Sequence, residues 1–298
     1  MKIAVTGASG FVGSNVTHLL KAEGHEIVPV SRRDGVDIQS EAELEKVFSG
    51  CDGVAHCAGI NREIGTQTYR NIHIDGTRRV VAAAQKCGVR KITLMSFLRA
   101  RPDCGSGYHE SKFAAEEIIA KSGLDYTIIK AGVIYGQGDH MLNHLSHAFY
   151  TFPIFGLVGF KDQKVRPTAV EDVARIIIAS FSDPRLSRKR VPVTGPEELT
   201  LAQAVKRVSQ VVGRAPLFFP MPVWMHLVFA WGLEQVMKVP LIATAQVRIL
   251  AEGLVVPAGN WDPLPEDLAP KTAFSSDSIC KGLPSPGPFT LKDLRLPI

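Results

Sequence analysis

Apolar residues in the first two-thirds of the chain alternate between two rhythms. Ile3–Thr6 is a short apolar run, after which Val12, Val16, Leu19 and Leu20 recur at helical spacing within Phe11–Glu23. The change of period repeats. Glu26–Val30 reads as a strand, Glu41–Phe48 as a short helix and Gly53–Ala58 as a buried strand. Thr77–Cys87 reads as the end of a longer helix closed by Gly88, and Lys91–Ser96 as the next strand. Tyr108-His109-Glu110-Ser111-Lys112 leads into a helix over Ser111–Lys121, and Tyr126–Ala131 is again a strand. Strands and helices alternating through short links predict an α/β fold, a doubly wound parallel sheet covered by helices on both faces. Its ligand is expected at the carboxyl ends of the strands.

Beyond about residue 138 the rhythm loosens. Met141–Tyr150, Val170–Phe181 and Leu201–Val212 read as helices, the last capped by Thr200 and ended by Gly213. Lys164–Thr168 reads as extended chain and Val191–Thr194 as a short strand, while Pro257 to Pro297 lies in proline-rich, irregular chain. The expected division is a cofactor-binding domain over 1–196 and a smaller, mostly helical and irregular domain over 197–298. Residues 138–167 are expected to contribute to a substrate cleft.

Chemistry enters first at Gly7, Gly10 and Gly13, spaced by three between a strand and a helix. The first glycine suits a tight turn, the second a close approach of backbone to a pyrophosphate, the third close packing of helix on strand. The helix N-terminus at Ser9, Gly10, Phe11 and Val12 offers free N–H groups and a positive end. A dinucleotide is the expected ligand. At the end of the second strand stand Ser31-Arg32-Arg33, with no acid to take a ribose 2′-hydroxyl. Arginines there suit a 2′-phosphate, so NADP is preferred, with NAD the alternative. Asp37 and Ile38 are expected to frame the adenine.

Tyr108 and Lys112 lie four apart, on one helical face. A tyrosine is a poor base near neutrality unless a cation lowers its pKa, and Lys112 is expected to do so. Ser96, ending the preceding strand, is expected to hold the same substrate oxygen. Ser96, Tyr108 and Lys112 are therefore the catalytic candidates.

The formal charge of +5 over 298 residues gives little reason to expect nucleic acid, and the one dense basic cluster is Arg185, Arg188, Lys189 and Arg190. Five cysteines with no C-x-x-C pair argue against a disulfide scaffold or a cysteine zinc site and suit a reducing, cytoplasmic setting. His140, His144 and His147 share a helical face, with neighbouring Asp139 the one further candidate ligand; no metal is expected, and the face is read as solvated or as a polar surface turned to substrate. His56, inside an apolar strand, reads as a satisfied core histidine. The longest apolar stretch, near Val223–Leu233, is too short to span a bilayer. Trp224, Leu227, Val228, Trp231 and Leu233 make it apolar almost all round. It is read either as buried or as a contact for a second copy, a partner protein or a membrane surface, through residues 220–254.

Together these residues resemble the extended and atypical branches of the short-chain dehydrogenase/reductase superfamily, the Rossmann-like, epimerase/dehydratase-like proteins. The motifs are Thr6–Gly13, His56-Cys57-Ala58-Gly59, Ser96, Tyr108 with Lys112, Val133-Ile134-Tyr135-Gly136 and Pro167–Ala174. His73–Arg78 and the Pro220–Val256 region are similar to the NAD(P)H-binding accessory subunit of respiratory complex I. The resemblance implies that Cys57, Ala58, Gly59, Ala131 and Val133 line the cofactor and that Lys112 binds its ribose. Two departures stand out. His73 replaces the helix-bending, water-binding Asn usual there, and Lys130-Ala131 replaces Arg-Pro beside the nicotinamide. Two functions follow. One is an NAD(P)-dependent oxidoreductase or epimerase/dehydratase-like enzyme acting on a hydroxyl or carbonyl of an unidentified small molecule. The other is a non-catalytic NADP(H)-binding protein docked on a partner or membrane.

Overall fold

The computed structural model describes residues 1–161, 163–237, 240–290 and 293. They form two compact units, each discontinuous in sequence. The first comprises Met1–Gly132, Val170–Val193 and Val256–Lys271, and the second Val133–Ala169, Thr194–Val255 and Thr272–Ile298.

The first unit opens with β1 (Lys2–Thr6), α1 (Phe11–Ala22), β2 (Glu26–Val30) and α2 (Glu41–Phe48). It continues with β3 (Gly53–His56), α3 (Gly76–Lys86), β4 (Lys91–Phe97), α4 (Gly107–Ala120) and β5 (Asp125–Ala131). The second unit takes β6 (Ile134–Tyr135), α5 (His140–Thr151), β7 (Ile154–Val158), β8 (Lys164–Val165) and β9 (Thr168–Ala169). The chain returns to the first unit for α6 (Val170–Ala179) and β10 (Lys189–Val193). The rest of the second unit holds β11 (Leu199–Thr200), α7 (Leu201–Val212), β12 (Leu217–Met221), α8 (Val223–Val236), α9 (Thr244–Ala251) and α10 (Ser276–Gly282).

Six parallel strands in the order β2, β1, β3, β4, β5, β10 make the sheet of the first unit. Helix α1 packs with α6, while α2, α3 and α4 pack in a row, giving the expected doubly wound, Rossmann-like arrangement. Leu44, Phe48, Val54, Val80, Ile92 and Ile119 belong to the core on the α2–α4 side. The strand order reverses between β1 and β3, so the ligand crevice of such a sheet falls where Thr6 and His56 end paired strands.

The boundary expected after residue 196 differs from this division for a physical reason. Strand β10 is the edge of the first sheet. The irregular segment 256–271 is tied to the same unit, since Ala258 N–H donates to Leu98 O at 2.9 Å and Asp262 N–H to Arg190 O at 2.7 Å. Such ties leave no periodicity in a sequence.

In the second unit, short strand pairs β6–β9, β7–β12 and β8–β11 brace the helices. Val158, Ala230 and Val247 form a small core there, and Tyr135 packs edge-on against Phe274 at 4.7 Å. Helix α7 begins with a capping box between Thr200 and Gln203 and ends at Gly213 in the left-handed region. No helix among the described residues is long and apolar enough to cross a membrane.

Candidate functional site

Thr6 ends β1, and Gly7 turns the chain at φ +70°; a Cβ there would sit 2.8 Å from Ala58 Cα. A Cβ on Gly13 would lie 2.2 Å from Gly7 O, so α1 can approach the loop only through glycine. Gly10 caps α1 without any side-chain acceptor, and its N–H closes the turn onto Gly7 O at 2.8 Å. The first-turn N–H groups after Gly10 therefore face outward with the helix dipole behind them. Exposed Ser9 and half-buried Phe11 and Val12 flank them. This cradle fits a pyrophosphate.

Beyond β2, Ser31 donates to the Asp34 carboxylate, and a single 3₁₀ turn, Arg32–Asp34, presents Arg32 and Arg33 to solvent. Arg32 Nη2 donates to Gln67 Oε1 at 3.2 Å. Asp37 Oδ1 takes the Gln39 N–H, while Ile38 is buried and packs near Gly76.

The floor of the crevice is a chain of neutral hydrogen bonds. Thr6 Oγ1 accepts from Ala58 N–H at 3.3 Å and donates to His56 Nδ1 at 2.6 Å. His56 Nε2 donates to Thr77 Oγ1 at 3.0 Å, and Thr77 donates to His73 O at 2.6 Å. This pattern assigns His56 its Nε2–H tautomer. Burial, and then Lys112, hold its pKa down to about 3. Cys57 lies beside it, with its thiol pushed up to about 12 by burial, which keeps it protonated and unreactive.

Helix α4 brings Tyr108 and Lys112 to this floor, both nearly buried. Lys112 Nζ donates to Met95 O at 3.1 Å, and a Cβ on Gly59 would lie 3.0 Å from that nitrogen. Burial pulls the ammonium down to about 8, against the raising effects of Cys57 and Glu116. The expected lowering of Tyr108 is reversed. Burial, followed by the neighbouring Tyr69, pushes its phenol up, and Lys112 is engaged by the Met95 carbonyl. Tyr69, His73, Phe97 and His109 surround the Tyr108 ring at 5.3–5.9 Å between centroids.

Ser96 does not join Tyr108. Its hydroxyl donates to Glu116 Oε1 at 2.5 Å, within a buried cluster that includes Lys130 and Arg190. Glu116 is two helical turns beyond Tyr108, about 12 Å along α4. The next residue of β4, Phe97, is the one that packs on Tyr108. Lys130, expected to alter the wall beside the nicotinamide, is spent on the same Glu116.

His73 also departs from expectation, because the helix is still distorted there: Arg70–Asp75 forms a π-helical turn ahead of α3. Its Nε2 accepts from Ile60 N–H at 3.1 Å, and its Nδ1 donates to Ser111 Oγ at 2.8 Å. Ser111 in turn donates to Tyr108 O at 3.0 Å. His73 thus ties the loop after β3 to the helix carrying Tyr108 and Lys112.

Ala131 is buried at the end of β5, its carbonyl accepting from Leu98 N–H at 2.8 Å. Val133 falls in the second unit, where its carbonyl accepts from Thr168 N–H. On α5, His147 Nδ1 donates to Gly287 O at 2.6 Å, and the His140 and His144 rings lie 6.1 Å apart. Three cations of the basic cluster are ion-paired, Arg185 with Asp183 and Asp267, Lys189 with Asp262 and Arg190 with Glu117, and Arg188 donates to Gly123 O at 3.2 Å.

The chain is 27% identical to an uncharacterized protein of Mycobacterium tuberculosis over 83% of its own length, but spans 27% of the length of that relative. It is 25% identical to a ceramide reductase of Caulobacter vibrioides, covering 74% of this chain and 73% of the relative. It is also 25% identical to the mouse mitochondrial NADH dehydrogenase 1 alpha subcomplex subunit 9, covering 76% and 64%. The solved structure of MoeE5 in complex with UDP-glucuronic acid and NAD has the same fold, with a TM-score of 0.71 at 18% identity over 95% of this chain and 97% of that one. The model of the NAD dependent epimerase/dehydratase family matches residues 3–191, from the glycine cradle through Tyr108 and Lys112 to the edge strand, and the chain belongs to that family.

Proposed function

We propose that the chain is an NADPH-preferring oxidoreductase that reduces a carbonyl group of an apolar small molecule. The observation that carries this reading is Lys112, buried one turn from Tyr108, with its ammonium under Gly59 at the crevice floor. A bound nicotinamide would supply the hydride. Lys112 has donors beyond the one given to Met95 O, and these would hold the ribose hydroxyls. Tyr108, its pKa raised, is protonated at neutral pH and is poised to give its proton to a carbonyl oxygen. The aromatic wall of Tyr69 and Phe97 favours an apolar group beside the reacting carbon. The ceramide reductase among the relatives makes a long-chain ketone the first substrate to offer.

The test is to identify the copurifying nucleotide and to follow oxidation of NADPH and NADH with aldehydes and ketones, long-chain ketones included. Arg32→Ala should weaken NADPH binding by about ten- to a hundredfold, the value of one charge-assisted contact, and leave NADH binding unchanged. Equal losses for both nucleotides would remove Arg32 from the 2′-phosphate. Affinity should also depend on pH. Lys112 holds the ribose best as an ammonium, so binding is full below about 8 and falls as pH rises past that value. A pH titration of dinucleotide affinity measures this directly, and a flat profile from 7 to 9.5 would contradict it.

A second reading rests on Ser96. With that hydroxyl bound to Glu116, no side chain of β4 polarises the substrate oxygen, and the nucleotide would be held without turnover. Tight binding with no oxidation of either nucleotide across the panel favours it.

A further inference from the structure

Helix α8 turns its more apolar side outward. Val223, His226, Leu227 and Ala230 face the interior of the second unit, where His226 Nε2 donates to Gly156 O at 3.3 Å. The opposite side carries Trp224, Met225, Val228, Phe229, Trp231 and Val236, with Trp224 66%, Val228 63% and Trp231 62% exposed. A surface helix ordinarily shows polar residues to water. No Lys, Arg, Asp or Glu occurs between Ala215 and Leu233. Leu217 and Ile154, register partners on β12 and β7, are exposed as well.

We propose that this face docks on a lipid bilayer surface, with α8 lying along the membrane plane. Two observations select a bilayer over a protein. The first is chemistry. Trp224 and Trp231 stand two turns apart on the exposed face, and indole rings seek the level of lipid headgroups. The second is charge. Exposed Arg214 immediately precedes the uncharged stretch, Lys206 stands 6.0 Å from the Phe218 ring of β12, and Lys161 follows the exposed Phe160. These cations complement anionic headgroups around an apolar strip.

The experiment uses the full chain with vesicles of phosphatidylcholine alone or with one-third phosphatidylglycerol, read by co-sedimentation and tryptophan emission. Wild type should pellet with the anionic vesicles and shift its emission to the blue. Trp224→Gln combined with Trp231→Gln should lower partitioning by about tenfold or more. Because both side chains are exposed, unfolding temperature and gel-filtration mass should stay as in wild type. The proposal fails if wild type stays in the supernatant with both vesicles, or if the double variant pellets equally well. It also fails if wild type elutes as a dimer that the double variant converts to a monomer, which would make the face a contact between copies.

Discussion

Tyr108→Phe should bind NADPH as wild type does and lose turnover by about a hundred- to ten-thousandfold, the range that one positioned acid contributes. The substitution removes a single oxygen. The ring stays between Tyr69, His73, Phe97 and His109, and the Ser111 hydroxyl bond goes to the Tyr108 main chain, which phenylalanine retains. Lys112 keeps its bond to Met95 O, so the ribose contacts survive. The pH profile carries a second signature. A protonated Tyr108 is the active form for carbonyl reduction, and burial pushes its phenol up, so wild-type reduction should not fall through loss of this proton near neutrality. Nucleotide titration and single-turnover oxidation of NADPH, compared between the two proteins, separate binding from chemistry. Equal turnover in both would end the role of Tyr108 and leave the accessory reading.

Much of this site was legible in the sequence, and what was not has identifiable causes. Gly7, Gly10 and Gly13 announce their cradle because only glycine tolerates those approaches. Tyr108 and Lys112 announce theirs by helical spacing. Ser96 misleads because every residue of β4 is buried, so the strand has no polar alternation to tell one face from the other. Chemistry alone then suggests that a strand-end serine faces the tyrosine. The signal for its true partner was present: Glu116 continues the Tyr108, Lys112 stripe by one more turn, an acid on a face that must be buried. Tyr69 and the segment 256–271 were not legible, since loop contacts leave no period. Helix α8, apolar all round, could not say which side was out. Only the packing of His226 and Ala230 decides it.

The second large effect concerns stability. Glu116→Leu should destabilise the fold by about 3–5 kcal/mol, the cost of stripping one partner from a buried ion pair. Glu116 and Lys130 are both almost wholly inaccessible, with Nζ at 2.8 and 3.0 Å from the two carboxylate oxygens. Arg190 keeps its bond to Glu117 at 2.7 Å when Glu116 is lost, but Lys130 then keeps only Ala100 O, at 3.4 Å. Burial already lowers Lys130, and Glu116 is what opposes it. In the variant the folded-state pKa of Lys130 therefore drops further below its unfolded value of about 10.4. Between those two values the unfolded chain binds more protons, so the stability of the variant rises with pH and its deficit against wild type narrows. Glu116→Leu with Lys130→Met removes the orphaned charge and should recover about half of the loss, leaving the Ser96 hydroxyl unpaired at about 1–3 kcal/mol. Urea unfolding of wild type, single and double variants at pH 7 and 9 reads all of this. A single variant as stable as wild type would mean that the pair contributes nothing. A double variant as unstable as the single would mean that shape, and not charge, is what Glu116 supplies between β4 and β5.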